Sequence, residues 1–385
     1  MENLEQVVRA KIAQKLRKGE DNVQKATQRL IAEGKMQRDF VFEIGAENKG
    51  HSPRISFTPD VAGGRAGAMF QIPDWASKGP DIMEPFHFNR HSMQQMSGKL
   101  KLPTGYVMDL LEGDGWQVEL AYQILNQTNT WYNRDNVLIR AVGNEVRGVL
   151  SDQYRILDSG MIFGTHIDSV FENGARLSDG YMDDTRLMVE SLLPEPIALN
   201  TELNGLIMVA FGTRLESSDY GARALSLRSF ILQGICLNGM VRESVLREVH
   251  LGAKLPQNVR LSPKTYELDS ATTASAVFDL TKNLYANDTI KNRMLEIKAA
   301  TEYRVDAGNM LMGLQGLNKI LKGESEEIGK LIMANRMEDG LQGESTLWKM
   351  SQAITAYANR EDVSDIRRFD LQEIAGDLFD QIKKN

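Results

Sequence analysis

The chain has very little cysteine: Cys236 is the single one in 385 residues, so no intramolecular disulfide can form. That fits a reducing compartment. No run of about 18 apolar residues occurs, which argues against a membrane-spanning helix. The opening MENLEQVVRAKIAQKLRKGE is charged throughout and has no apolar core of a secretory signal. Positive charge is not in excess either. Lys and Arg total 45 against 52 Asp and Glu, a formal net charge of −7. A surface coated in nucleic-acid-binding charge is therefore not expected, and any such site must be local. Motifs of chemistry are missing as well. There is no G-x-S-x-G and no HExxH. The cluster Gly63, Gly64 and Gly67 lacks the Lys-Ser/Thr that completes a phosphate loop, so it reads as a turn.

What remains is ordinary globular composition, 42% hydrophobic and 25% charged. The length allows two or three domains. Residues 2–33 carry apolar side chains at helical spacing with basic residues between them. From Arg9 to Arg38 there are nine basic and three acidic residues, a local +6. This reads as a solvated helix face, or as a mobile basic arm that touches a partner or a phosphate backbone. FVFEIG and RISFTP are short strand candidates. Residues 86–132 read as helical pieces broken at Leu102-Pro103. His87 and His91 sit four apart, as for one helix face, but no third ligand accompanies them. Packing or hydrogen bonding is the expected use, and no metal is expected.

The run Asn136 to Val241 carries most of the pattern. VLIRAV and VRGVLS flank Gly143-Asn144, a hairpin signal. ILDSGMIFGTHIDSVFEN is a helix with Asp158 or Ser159 as N-cap and Asn173-Gly174 as its stop. ARLSDGYMDDTRLMVESLL gives one or two strands around an acidic turn, and GLIMVAFGTRLES is a strand. Ser217 to Gly221 is a loop. ALSLRSFILQGICLNGMV reads as an apolar helix, with Cys236 as a buried structural thiol. The remainder is mostly helical, including TLWKMSQAITAYANRE.

The expected fold class is therefore α+β: an antiparallel sheet with a β-hairpin and a long covering helix, flanked by helical N- and C-terminal regions. The expected parts are an N-terminal helical arm and strand-containing linker (1–82), a helical lead-in (83–132), an α+β core (133–265) and a helical C-terminal region (266–385).

Three separated segments, Val146–Leu157, Tyr220–Gly252 and Thr346–Ala358, together with the lead-in His91–Leu111, resemble a phage- and plasmid-associated domain family of unknown function. The resemblance covers roughly residues 86–360. It implies a mobile-element origin, with the host-cell cytoplasm as location, and says little about activity. The order hairpin, helix, antiparallel strands, long helix is also similar, at the level of topology, to the ring-forming single-strand annealing proteins of recombination, including phage annealing proteins of the Red-beta type. Fold alone does not imply function. Annealing, though, needs no catalytic group and no cofactor. It needs a cationic groove that holds a backbone and leaves bases free.

Arginine suits this because it offers phosphate a planar fork. The candidates are Arg140, Arg147 and Arg155 on or after the hairpin, Arg214 on the late strand, and Arg223 and Arg228 on the expected covering helix. Arg242, Arg247, Lys254, Arg260 and Lys264 extend the track. The alternative use of Arg140 and Arg147 is pairing with Glu145 or Asp152. The leading expectation is a non-enzymatic, homo-oligomeric protein that binds single-stranded DNA and anneals strands, with phage or host recombination proteins as partners. One alternative is a protein-interaction or host-inhibitory factor. Another is a metal-dependent nuclease using Asp179, Asp183 and Asp184.

Overall fold

The computed structural model describes residues 2–43, 54–73, 80–131, 136–151, 154, 157–248, 262–336, 338 and 340–384. The protein is α+β, built on two mostly antiparallel sheets with helices at both ends. It opens with one helix, α1 (Glu2–Met36). Its buried positions Val8, Ile12, Leu16, Val23 and Ala26 follow the three-to-four spacing that sets one face inward. The chain passes from α1 straight into β1 (Gln37–Glu43).

The first sheet adds β2 (Arg54–Phe57), β3 (Ala66–Ile72), β4 (Ile82–Phe88) and the hairpin β5 (Asn136–Val142) and β6 (Glu145–Ser151). Their order is β1-β5-β6-β4-β3-β2, antiparallel except for the short β4–β6 contact. Gly143 turns the hairpin at φ +57°, a backbone that glycine tolerates without strain. Three helices accompany this sheet: α2 (Arg90–Lys99), α3 (Thr104–Leu111) and α4 (Gly115–Trp131). Its core is rich in phenylalanine, with Phe70 and Phe86 stacked at 4.2 Å.

The second sheet begins after α5 (Ser159–Glu172), whose N-cap is Asp158, accepting from the Met161 N–H at 3.0 Å. It contains β7 (Arg176–Met182), β8 (Leu187–Leu192), β9 (Ile197–Thr201), β10 (Gly205–Ser217), β11 (Leu225–Gln233) and β12 (Asn238–Glu248). The order is β12-β11-β10-β8-β7, with β9 on the first half of β10. Residues 224–241, expected as a covering helix, are instead the β11–β12 hairpin and its turn, and Cys236 lies half-buried in that turn. The reason is burial on both faces. Along β11 and β12, Ile231 and Met240 enter one core cluster, while Phe230, Leu232 and Val241 enter another with Val8, Ile12 and Leu16 of α1. A strand covered on both sides reads as a continuous apolar run, which periodicity cannot tell from a buried helix.

The long helix comes later, as α6 (Pro263–Tyr285), which packs on α5. It is followed by α7 (Asn287–Glu302), α8 (Ala307–Gly316), α9 (Lys322–Ala334), α10 (Leu347–Ala358), α11 (Asp365–Asp377) and a short 3-10 helix, Leu378–Lys384. In α10, ten of twelve residues are buried, so it is the centre of the C-terminal bundle rather than a surface helix. The helix α1 is likewise packed and not a separate arm. It lies along β7 so closely that a Cβ on Gly19 would stand 2.2 Å from the Ser178 carbonyl carbon.

The two sheets meet at the loop Ser217–Gly221. The Tyr220 carbonyl accepts from Gln95 Nε2 at 2.9 Å and lies 3.0 Å from His91 Nε2. Gln95 Oε1 in turn accepts from the Val149 N–H at 2.8 Å. Three sequence-level expectations thus resolve differently. Residues 37–88 supply strands to the same sheet as the 136–151 hairpin. His87 is in β4 and His91 in α2, so they share no helix face. The 1–82 segment contributes a packed helix and three strands of the first sheet rather than a linker. The turn expected at Gly63 and Gly64 is present, beside His87 and Phe88.

His166 of α5 is fully buried, with Nδ1 2.9 Å from the Thr281 hydroxyl of α6. Burial pushes its imidazole down to about 3. The unfolded chain takes up this proton near pH 6.5, and the folded chain does not until much lower pH. Stability from this group is therefore complete above that value and is lost as pH falls. The loss between pH 7 and 5 is about 2 kcal/mol. We expect denaturant unfolding at these two pH values to show that difference, and His166→Gln to reduce it by a similar amount.

Candidate nucleic-acid interface

The arginines expected to line a channel are used inside the fold. Arg140 on β5 is 1% exposed, and its Nε and Nη2 each donate to the Asp39 carboxylate at 2.9 Å. Its Nη1 donates to the Asp219 carbonyl at 3.2 Å. Arg147 on β6 donates to Glu33 of α1 at 2.5 Å and to Glu145 at 3.0 Å. Burial opposes its charge, but these two carboxylates outweigh burial and hold the guanidinium above its ordinary range. Arg214 on β10 is buried against Glu190 of β8 and also reaches Gln372 of α11. Arg223 pairs with Asp370, and Arg228 with Glu373 at 2.8 Å. Arg242 donates to the Gly376 carbonyl at 2.5 Å and to Asp380 at 3.2 Å.

These six arginines therefore do not join into an open cationic channel. The physical reason is burial: Arg140 and Arg147 are covered where the first sheet meets α1 and the loop Ser217–Gly221, and Arg214 and Arg242 lie under the helices of the second sheet. A guanidinium taken out of water there must be paired. The ring of Phe369 makes the point: Arg186, Arg214 and Arg368 stand 5.1, 5.1 and 5.0 Å from its centroid. Arg247 sits in β12 opposite Ser226, and Lys264 is exposed in the first turn of α6. Arg155, Lys254 and Arg260 lie outside the described residues.

The carboxylates of the nuclease alternative are also engaged. Asp183 accepts from the Thr185 and Arg186 N–H groups and from the Tyr181 hydroxyl. Asp184 pairs with Arg29 at 2.5 Å, and Asp179 accepts from Asn22 at 2.9 Å and faces Arg368. Among the described residues no three His, Cys, Asp or Glu side chains are grouped to hold a metal ion.

Unpaired positive charge is found on α1. By helical spacing, Lys11, Lys15, Lys18, Asn22, Lys25 and Arg29 fall on one flank, next to the buried face. Arg29 is tied to Glu33 at 2.7 Å and to Asp184, and Lys11 Nζ donates to the Ile235 carbonyl at 2.5 Å. Lys15, Lys18 and Lys25 make no hydrogen bond or ion pair with the described residues, and Lys18 and Lys25 are exposed. From Lys11 to Lys25 the flank runs about 21 Å at 1.5 Å per residue. The helix was read from the sequence, and so was its local +6. The lysine flank was missed, although its spacing is visible there.

Around the opposite side of α1 lies a cleft of about 900 Å³ between the C-terminal end of that helix, α5 and α6. It is lined by carboxylates rather than by free cations, so it does not extend the lysine flank. Comparison of the chain with protein-family models, with curated proteins and with solved structures gives no match.

Removing one member of a buried ion pair strands the other. Glu190→Gln should therefore destabilise the fold by about 3–5 kcal/mol. Replacing Arg214 and Glu190 together by apolar residues of similar volume should recover most of that loss, as read by the denaturation midpoint.

Proposed function

We propose that this chain is a single-stranded-DNA-binding protein of phage or plasmid recombination whose contact surface is the lysine flank of α1. The observation that carries the reading is selective neutralisation. Six of the proposed sheet-side arginines meet carboxylates or carbonyls, whereas Lys15, Lys18 and Lys25 meet none among the described residues. Three unpaired ammonium groups spread over about 15 Å of helix suit a flexible phosphate backbone, since each acts as a point charge and leaves the bases untouched. The element order supports the annealing part of the reading. The hairpin β5–β6, then α5, then the antiparallel strands, then α6 follow the order that the annealing proteins of recombination suggested. Strand annealing by a homo-oligomer, acting without a catalytic group, is the activity that follows.

Titration of labelled single-stranded oligonucleotides at several salt concentrations tests this. Changing Lys15, Lys18 and Lys25 together to Gln should weaken binding at low salt by at least about tenfold. It should also reduce the slope of log affinity against log salt by about 2. Unfolding midpoints should stay unchanged, because none of the three is paired. Arg228→Gln should do the reverse, lowering stability and leaving the salt slope alone. Unchanged binding in the triple variant would remove α1 as the contact surface.

A second reading, a protein-interaction role, is favoured by one observation. Met312, Leu317, Leu321 and Met333 on the α8–α9 hairpin are 63, 70, 67 and 88% exposed. That reading expects the triple lysine variant to leave function intact and polar substitution at Leu317 and Leu321 to abolish it.

A further inference from the structure

We infer that the cleft between α1, α5 and α6 is a binding site for a small organic cation with an apolar body. Three observations converge. The first is size. About 900 Å³ lies within the range of small-molecule pockets. The second is the wall. Leu30 and Ile31 of α1 face Met161, Phe163 and Ile167 of α5 across the space, giving apolar surface on both sides.

The third is charge. The lining holds four carboxylates, Asp39, Asp158, Asp219 and Glu267, and one guanidinium, Arg140. Asp39 and Arg140 satisfy each other. Asp158 spends one oxygen on the α5 cap, and Asp219 accepts from the Ser159 hydroxyl at 2.6 Å. Asp219, Asp158 and Glu267 then leave the cleft formally at −3.

The chemistry of such a cleft is selective. Its acidic floor repels phosphate, so it is not a continuation of a nucleic-acid surface. Its apolar walls give little to a bare inorganic cation. An amine or guanidine on an aromatic or hydrocarbon frame satisfies both. The frame removes apolar surface from water, and the charged end sits beside Asp219 at the foot of α5. Burial pushes the Asp219 carboxyl above the usual carboxylate range, against the pull of Arg140 and Ser159. A cation arriving at that carboxyl stabilises its ionised form, so binding should weaken as the solution is acidified.

The test uses a matched pair of probes on the full chain, tryptamine and its uncharged hydroxyl analogue tryptophol, by calorimetric titration at pH 7. Tryptamine should bind at least about tenfold more tightly than tryptophol. Asp219→Asn keeps an oxygen for Ser159, so the fold is retained while the preference for the amine is lost. Glu267→Gln, at the exposed rim, should reduce that preference in part. Ile31→Ser should weaken both probes alike. The inference is overturned if neither probe binds, if the two bind equally, or if Asp219→Asn keeps the preference. Oligonucleotide binding by Asp219→Asn should match the unaltered chain, which separates this outcome from that of the lysine flank.

Discussion

The structure depends on arginines held by carboxylates that come from other elements. Arg140 reaches back to β1, Arg147 to the last turns of α1, Arg214 to β8 and Arg242 to the 3-10 helix after α11. Each pair joins segments that are distant in sequence, and most lie where water is excluded. In such places an ion pair is a weak source of net stability, but breaking it is expensive because the survivor stays desolvated. The pairs therefore act as constraints on which elements can sit together. Arg140, which holds both Asp39 and the Asp219 carbonyl, fixes the joint where the loop Ser217–Gly221 meets β1 and β5.

Buried pairs remove equal numbers of both signs, so local positive charge in this acidic chain depends on where unpaired lysines fall. The lysines of α1 project from a helix whose other face is committed to the second sheet, and Gly19 and Gly180 let that helix lie close to β7. The same helix bounds the acidic cleft on its far side. By 100° per residue, the cleft-lining positions Thr27, Ile31 and Gly34 are roughly 150° around from the lysines. One element thus separates a cationic surface from an anionic one.

Local signals were legible where local physics decides. The hairpin around Gly143, the Asp158 cap, the stop at Asn173-Gly174 and the strand Gly205–Ser217 all follow from turn chemistry, capping and β-branched runs. The segment 224–241 was not legible, because a two-sided environment makes a strand as apolar as a buried helix. The pair His87 and His91 was misplaced for a related reason: four-residue spacing means one face only if no boundary falls between them, and Asn89 caps α2 there.

The sequence by itself determined the α+β class, most helix and strand identities and the surplus of positive charge near the N-terminus, because these depend on neighbours within a few residues. It also carried the lysine spacing of α1. Only the tertiary structure decided which cations stay unpaired. That depends on whether a carboxylate from a remote element arrives at the same buried place, and no local pattern encodes the meeting of Arg140 with Asp39 or of Arg214 with Glu190. The division into two sheets, and the cleft between α1, α5 and α6, were decided in the same way, by packing between segments far apart in the chain.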